Sequence, residues 1–119
     1  MALQTFRTGD GDRVKHTISV ARDFSKHPGP RYIKQGSWSG EKFRKLLEER
    51  LKRHDQIAVD LDGTRGYGSS FLDEAFGGLV RECILTRDEF ARRVEIVSAE
   101  DPTYRGEALE AVAKAQPRQ

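Results

Sequence analysis

Apolar positions along the chain gather into runs of two kinds. Ile57, Ala58, Val59 and Leu61 form a short, nearly continuous apolar run, which predicts a buried strand, and Gly63, Gly66 and Gly68 stop any periodicity after it. A turn-rich loop follows. Leu72, Phe76, Leu79, Val80 and Cys83 then recur at steps of three and four, the spacing of a helix that lays one apolar face against a sheet. Ser69 or Ser70 is placed to cap that helix with a hydroxyl. Ser70 with Asp73 fits the serine-x-x-acid start signal, which sets acids where unpaired amides and the helix dipole favour them. Gly77 and Gly78 oppose the helix, since each costs about 1 kcal/mol relative to Ala in a helix interior. The pair predicts a close backbone approach or an early helix end.

The remaining segments follow the same logic. Ile18, Val20 and Phe24 fall nearly on one face of the stretch from Thr17 to Phe24, which predicts a strand. Pro28 and Pro30 make the next segment a loop, and Tyr32 and Ile33 start a brief extended piece before Gly36. Ser39 is the expected cap of a helix with the stripe Phe43, Leu46, Leu47 and Leu51, its other faces charged by Glu41, Lys45, Glu48, Glu49 and Lys52. Further on, residues 87–93 either extend the helical layer or form a short connecting helix, with Phe90 the main apolar anchor. Val94, Ile96 and Val97 predict a third or fourth strand, and residues 105–115 a final amphipathic helix. Residues 1–16, with the turn-forming cluster Thr8-Gly-Asp-Gly-Asp-Arg, read as a lead-in or hairpin, 17–115 as the domain and 116–119 as a frayed tail. Strands alternating with helices argue for a single small α/β domain. Its expected architecture is a mixed sheet of about four strands with helices packed on it.

Composition narrows the function more than the fold. A chain of 119 residues holds one modest core, and 21 basic against 19 acidic residues leave a net charge of +2. Acids interleave with bases throughout, so the fingerprint of a nucleic-acid binder is missing. No stretch approaches the roughly 20 apolar residues that cross a bilayer, and the N-terminus has no signal-peptide hydrophobic region, so no membrane partner is expected and the cytoplasm is the expected location. Cys83 is the one cysteine, unable to form an intrachain disulfide, and its place on the apolar helical face predicts a small core residue.

The order of hydrophobic strand, loop, Ser-Ser pair and Gly-containing apolar helix resembles the central signature of STAS domains, the anti-sigma-factor-antagonist fold. In particular, Ser-Ser-Phe-Leu-Asp-Glu-Ala-Phe-Gly-Gly-Leu from Ser69 to Leu79 is similar to the core of bacterial STAS-like domains of undefined function, and the resemblance extends from about Ile18 to Val97. It implies a regulatory domain phosphorylated on a serine at the helix start by a histidine-kinase-like ATPase, which brings the nucleotide itself. Ser69 is then the candidate and Ser70 its neighbour. Many such antagonists carry an acid just before the serine, where this chain has Gly68, and Asp73 and Glu74 follow it. A phosphate there would meet like charge, partly offset by the helix N-terminus.

Other constellations point elsewhere. Asp60-Leu-Asp62-Gly63-Thr64 at a strand end resembles the first motif of haloacid-dehalogenase-type phosphatases, in which paired carboxylates hold Mg²⁺ and attack phosphorus. No later acid pair or strand-end lysine is evident to complete such a site. Gly66-Tyr67-Gly68 ahead of the serines offers an anion-binding backbone but lacks the Gly-Lys-Ser/Thr ending of a phosphate loop. His16, His27 and His54 are too scattered for a local metal motif. Trp38, on a loop, either packs beside the next helix or anchors a partner, and Arg31 could reach an anion near the serines only if the fold brings them together. The chain therefore reads as a non-enzymatic interaction module with no cofactor. Its partner-binding surface comprises Gly66, Tyr67, Gly68, Asp73, Glu74 and Trp38 around the Ser69-Ser70 switch. A phosphatase using Asp60 and Asp62, or a self-associating subunit forming a homo-oligomer, are the alternatives.

Overall fold

The computed structural model describes residues 15–118, so the lead-in expected before Lys15 lies outside the described residues. Strands β1 (His16–Ser19), β2 (Ile57–Asp60) and β3 (Val94–Val97) pair in parallel in the order β1-β2-β3. The central place of β2 explains its continuous apolar run: Ile57 and Val59 are fully buried and Ala58 nearly so. The edge strands alternate instead. Ile18, Val59 and Ile96 stand in register on the core face, whereas Thr17, Ala58 and Glu95 share the opposite one. On that second face Thr17, Glu95 and Val97 are exposed, and Lys15 reaches Glu95 at 2.7 Å.

Among the described residues the sheet thus has three strands, all parallel, and not the expected mixed sheet of about four. Side chains that bond to nearby backbone account for the missing extended pieces. The strand expected from Thr17 to Phe24 stops at Ser19, whose hydroxyl accepts from the Arg22 amide at 3.1 Å while its own amide donates to the Asp23 carboxylate at 2.9 Å. This reciprocal cap starts the short helix α1 (Val20–Asp23). Tyr32 is extended as expected, but the brief extended piece ends there: the Gln35 side chain accepts from the Tyr32 amide at 2.9 Å and closes a 3₁₀ turn over Ile33–Gln35.

Helix α2 (Gly40–Arg53) forms as its sequence predicts. The Ser39 hydroxyl accepts from the Lys42 amide at 3.0 Å, and Phe43, Leu47 and Leu51 enter the core with Leu46 at its margin. Arg50, Lys52 and Arg53 close the last turn, where the dipole favours cations. The central helix is a composite of α3 (Ser69–Leu72), a π-helical turn (Asp73–Gly77) and α4 (Gly78–Arg81). Phe76 is fully buried, as the apolar spacing requires. Of the two alternatives for the glycine pair, close approach is the one observed, and the helix runs through both residues. A Cβ on Gly77 would lie 3.1 Å from the Ala111 carbonyl oxygen and one on Gly78 2.9 Å from Arg44 Cδ, so each glycine admits a neighbouring helix, and α4 stops at Arg81.

Cys83 departs from its predicted core position. It takes a left-handed φ of +61° and is exposed, because the chain turns back after α4 and the Ile84 and Leu85 amides both donate to the Leu79 carbonyl. Leu85 is buried in its place. Helix α5 (Arg87–Arg93) starts with a reciprocal Thr86–Glu89 capping box and buries Phe90. Helix α6 (Pro102–Lys114) begins earlier than the apolar pattern indicated, with Asp101 capping it and Pro102 at its first position. Beyond it the tail expected to fray runs back to α4. The Arg118 amide donates to the Arg81 carbonyl at 2.8 Å and its guanidinium meets Glu82 at 2.6 Å. Among the described residues no helix is long and apolar enough to cross a membrane.

Candidate functional site

Two glycines and a tyrosine shape the approach to the central helix. Gly66 adopts a φ of +118°, and a Cβ there would lie 2.8 Å from the Tyr104 hydroxyl, so the loop can pass α6 only as glycine. Tyr67 follows, its ring centroid 5.6 Å from that of Phe71 and 5.0 Å from that of Tyr104, and its hydroxyl donates to the Leu61 carbonyl at 2.7 Å. Burial pushes that phenol above its ordinary range. Tyr67 is therefore a strut under the loop more than a group displayed on it. Gly68 is the N-cap, with open space where a side chain would stand, and its carbonyl accepts from Phe71 and Leu72.

The expected serine cap does not form. Ser69 and Ser70 occupy the first helical positions and no side chain caps this end, because Gly68 already holds the non-helical geometry that a cap residue needs. For the same reason the Ser70–Asp73 start signal goes unused. Asp73 faces arginines instead. Ser69 is exposed and Ser70 half-buried.

Asp73 and Glu74 sit in a cluster assembled from three distant parts of the chain. Arg31 meets the Asp73 carboxylate at 2.5 Å and Arg81 meets it at 3.2 Å. Glu74 pairs with Arg44, which also binds Glu48 at 3.0 Å, and with Arg81 at 3.2 Å. Its side chain is only 3% exposed. Glu74 is thus removed from the partner-binding surface: the π turn aims it inward, and a buried carboxylate persists there because guanidiniums surround it. Burial pushes the Asp73 carboxyl up, but the Arg31 hydrogen bond and the Arg81 charge outweigh it and hold the group below the usual carboxylate value. Arg31 does reach the neighbourhood of the serines, one turn past them, where it already has an acid.

Asp60 and Asp62 have a different occupation. Asp60 accepts from the Asp62 amide at 2.9 Å, and the Asp62 carboxylate accepts from the Ala99 and Glu100 amides at 3.1 and 2.9 Å. Glu100 returns the link by accepting from the Gly63 amide at 2.9 Å. Asp62 and Glu100 tie the loop after β2 to the loop after β3, and main-chain amides engage both Asp62 carboxylate oxygens and Oδ1 of Asp60. Among the described residues, no group of three or more His, Cys, Asp or Glu side chains is placed to hold a metal ion.

Two histidines that appear scattered in sequence meet in space. The rings of His16 and His54 stack with centroids 4.0 Å apart, and Arg50 donates to His16 at 3.3 Å. Burial, then His54 and Arg50, lowers the His16 pKa. Trp38 packs edge-on against Phe24 at 5.3 Å and remains 41% exposed.

A protein-family profile described as a STAS-like domain of unknown function (DUF4325) matches residues 39–104, from the Ser39 cap of α2 into the first turn of α6. No curated protein and no solved structure matches the chain.

Proposed function

Since the chain belongs to the STAS-like domain family of unknown function, we propose that it is a regulatory protein-interaction module switched by a phosphate on Ser69. The observation that carries this reading is the exposed position of Ser69 at the head of the central helix, where the Gly68 backbone does the capping. A residue whose hydroxyl is not needed to start the helix can be modified without unfolding it. A dianionic phosphate at this end is favoured by the helix dipole. The repulsion expected from Asp73 and Glu74 is muted, because Arg31, Arg44 and Arg81 neutralise them. The partner that supplies and reads the phosphate is, by the family resemblance, a histidine-kinase-like ATPase.

The test is recovery of the tagged protein from its native cells, with intact-mass analysis and mapping of any phosphate. Addition of phosphate at Ser69, and weaker capture of the same ATPase partner by Ser69→Glu at an unchanged unfolding midpoint, are the expected results. A phosphate that maps elsewhere or is never found, or a Ser69→Glu protein that unfolds, rejects the switch.

A further inference from the structure

Three of the exposed large apolar side chains, Tyr32, Ile33 and Trp38, come from one loop between α1 and α2. That loop is pinned. The Gly29 amide donates to the Trp38 carbonyl at 2.9 Å, the Gly40 and Glu41 amides donate to the Pro30 and Arg31 carbonyls at 2.8 Å, and a Cβ on Gly29 would stand only 2.3 Å from the Ser37 carbonyl oxygen. In this clamp Trp38 adopts a φ of +57°, a conformation that is a genuine outlier for a bulky residue. Residues held in such conformations cluster where ligands are gripped. The indole is displayed by a rigid backbone and is not merely left over from the core.

The surface around it is concave and cationic. One depression of about 470 Å³ is lined by Tyr32, Ile33, Lys34 and Glu41, and a second of about 420 Å³ shares Ile33 and Lys34 and extends to Trp38 and Lys42. The Glu41 carboxylate is engaged by the Ile33 amide at 2.9 Å. Lys42 lies over the indole at 4.5 Å, and neither Lys34 nor Lys42 has a carboxylate partner among the described residues. Apolar walls carrying available ammonium groups fit a ligand with an apolar side chain between carboxylates.

We infer that the Ile33–Trp38 groove docks an acidic peptide segment of a protein partner, with an aliphatic or aromatic side chain entering beside Ile33 and Trp38 and its flanking carboxylates on Lys34 and Lys42. The fixed loop reduces the ordering lost on binding. Two lysines neutralise too few phosphates to drive nucleic-acid binding by counterion release, which favours a peptide over a nucleic acid. This inference stands whether or not Ser69 is modified.

A random peptide library displayed on phage is selected on the whole protein and counter-selected on the Lys34→Glu/Lys42→Glu variant, whose fold is checked by circular dichroism. The selected consensus peptide, synthesised without tryptophan, is then titrated while the emission of Trp38, the chain's one tryptophan, is read. The expected consensus is an apolar residue flanked by acids. It should shift Trp38 emission to shorter wavelength and bind about tenfold more weakly to the double variant. A basic or uncharged consensus, the absence of any peptide that discriminates the variant, or an unmoved Trp38 emission overturns the inference. So does an oligothymidylate strand that shifts the emission at lower concentration than the peptide.

Discussion

The stretch from Asp60 to Glu74 contains two pairs of acids that look alike in sequence and behave differently in the fold. Asp60 and Asp62 face main-chain amides, and Asp62 fastens two loops at the end of the sheet. Asp73 and Glu74 face three arginines, and Glu74 does so away from water. A carboxylate bound by amides holds local chain geometry and can be exchanged at modest expense. One enclosed by guanidiniums leaves uncompensated charge when it is removed. The partner, rather than the acid, decides what the position contributes.

The largest test of that contrast is Glu74→Ala. With the buried Arg44 left only its bond to Glu48 and the Arg81 pair lost, the domain should lose about 3 kcal/mol in urea denaturation, and a simultaneous Arg44→Met and Glu74→Leu exchange should recover most of it. A loss below about 1 kcal/mol would mean the cluster behaves as surface charge. Asp62→Ala is the counterpart on the other side. Removing the acceptor for the Ala99 and Glu100 amides should destabilise by about 1–3 kcal/mol with no rescue available from a second charge change.

The smallest effect should come from Asp73, whose side chain is 34% exposed, so Asp73→Asn should change stability by about 1 kcal/mol or less near neutral pH. Its sharper signature lies in acid. The folded-state pKa of Asp73 is lowered from 3.8, so the folded protein binds fewer protons there than the unfolded chain. The stabilisation is complete above that unfolded value and is lost as pH falls through the folded one. Stability measured from pH 5 downward should fall less steeply in Asp73→Asn than in the parent chain. Equal slopes would show that the Arg31–Asp73 pair contributes nothing.

Local chemistry explains which of these features the sequence announces. Ser39, with Phe43, Leu47 and Leu51 behind it, specifies a helix from neighbours within a few positions, and the helix is there. The central strand and the buried side of the central helix are legible for the same reason. The charge cluster is not. Arg31 lies 42 positions from Asp73 and Arg44 lies 30 from Glu74, and no spacing rule connects either pair until the helices pack. The serine cap was misplaced because serine and glycine both suit a helix start, and Gly68 takes the position first. Cys83 keeps the apolar spacing past the point where α4 has ended, a boundary written by the turn back to Leu79 and not by periodicity. The Thr86–Glu89 capping box, a spacing signal that the reading of residues 87–93 did not use, marks the start of α5.

Gly40 sits where α2 crosses α3, and a Cβ there would stand 2.5 Å from the Phe71 carbonyl oxygen and 3.1 Å from its Cα. The helices touch main chain to main chain. Side chains in contact have rotamers in which to absorb a displacement, but two backbones have none. Any side chain at position 40 would therefore drive a wedge between α2 and α3, at the point where the chain leaves Trp38 and Ser39 for the helix.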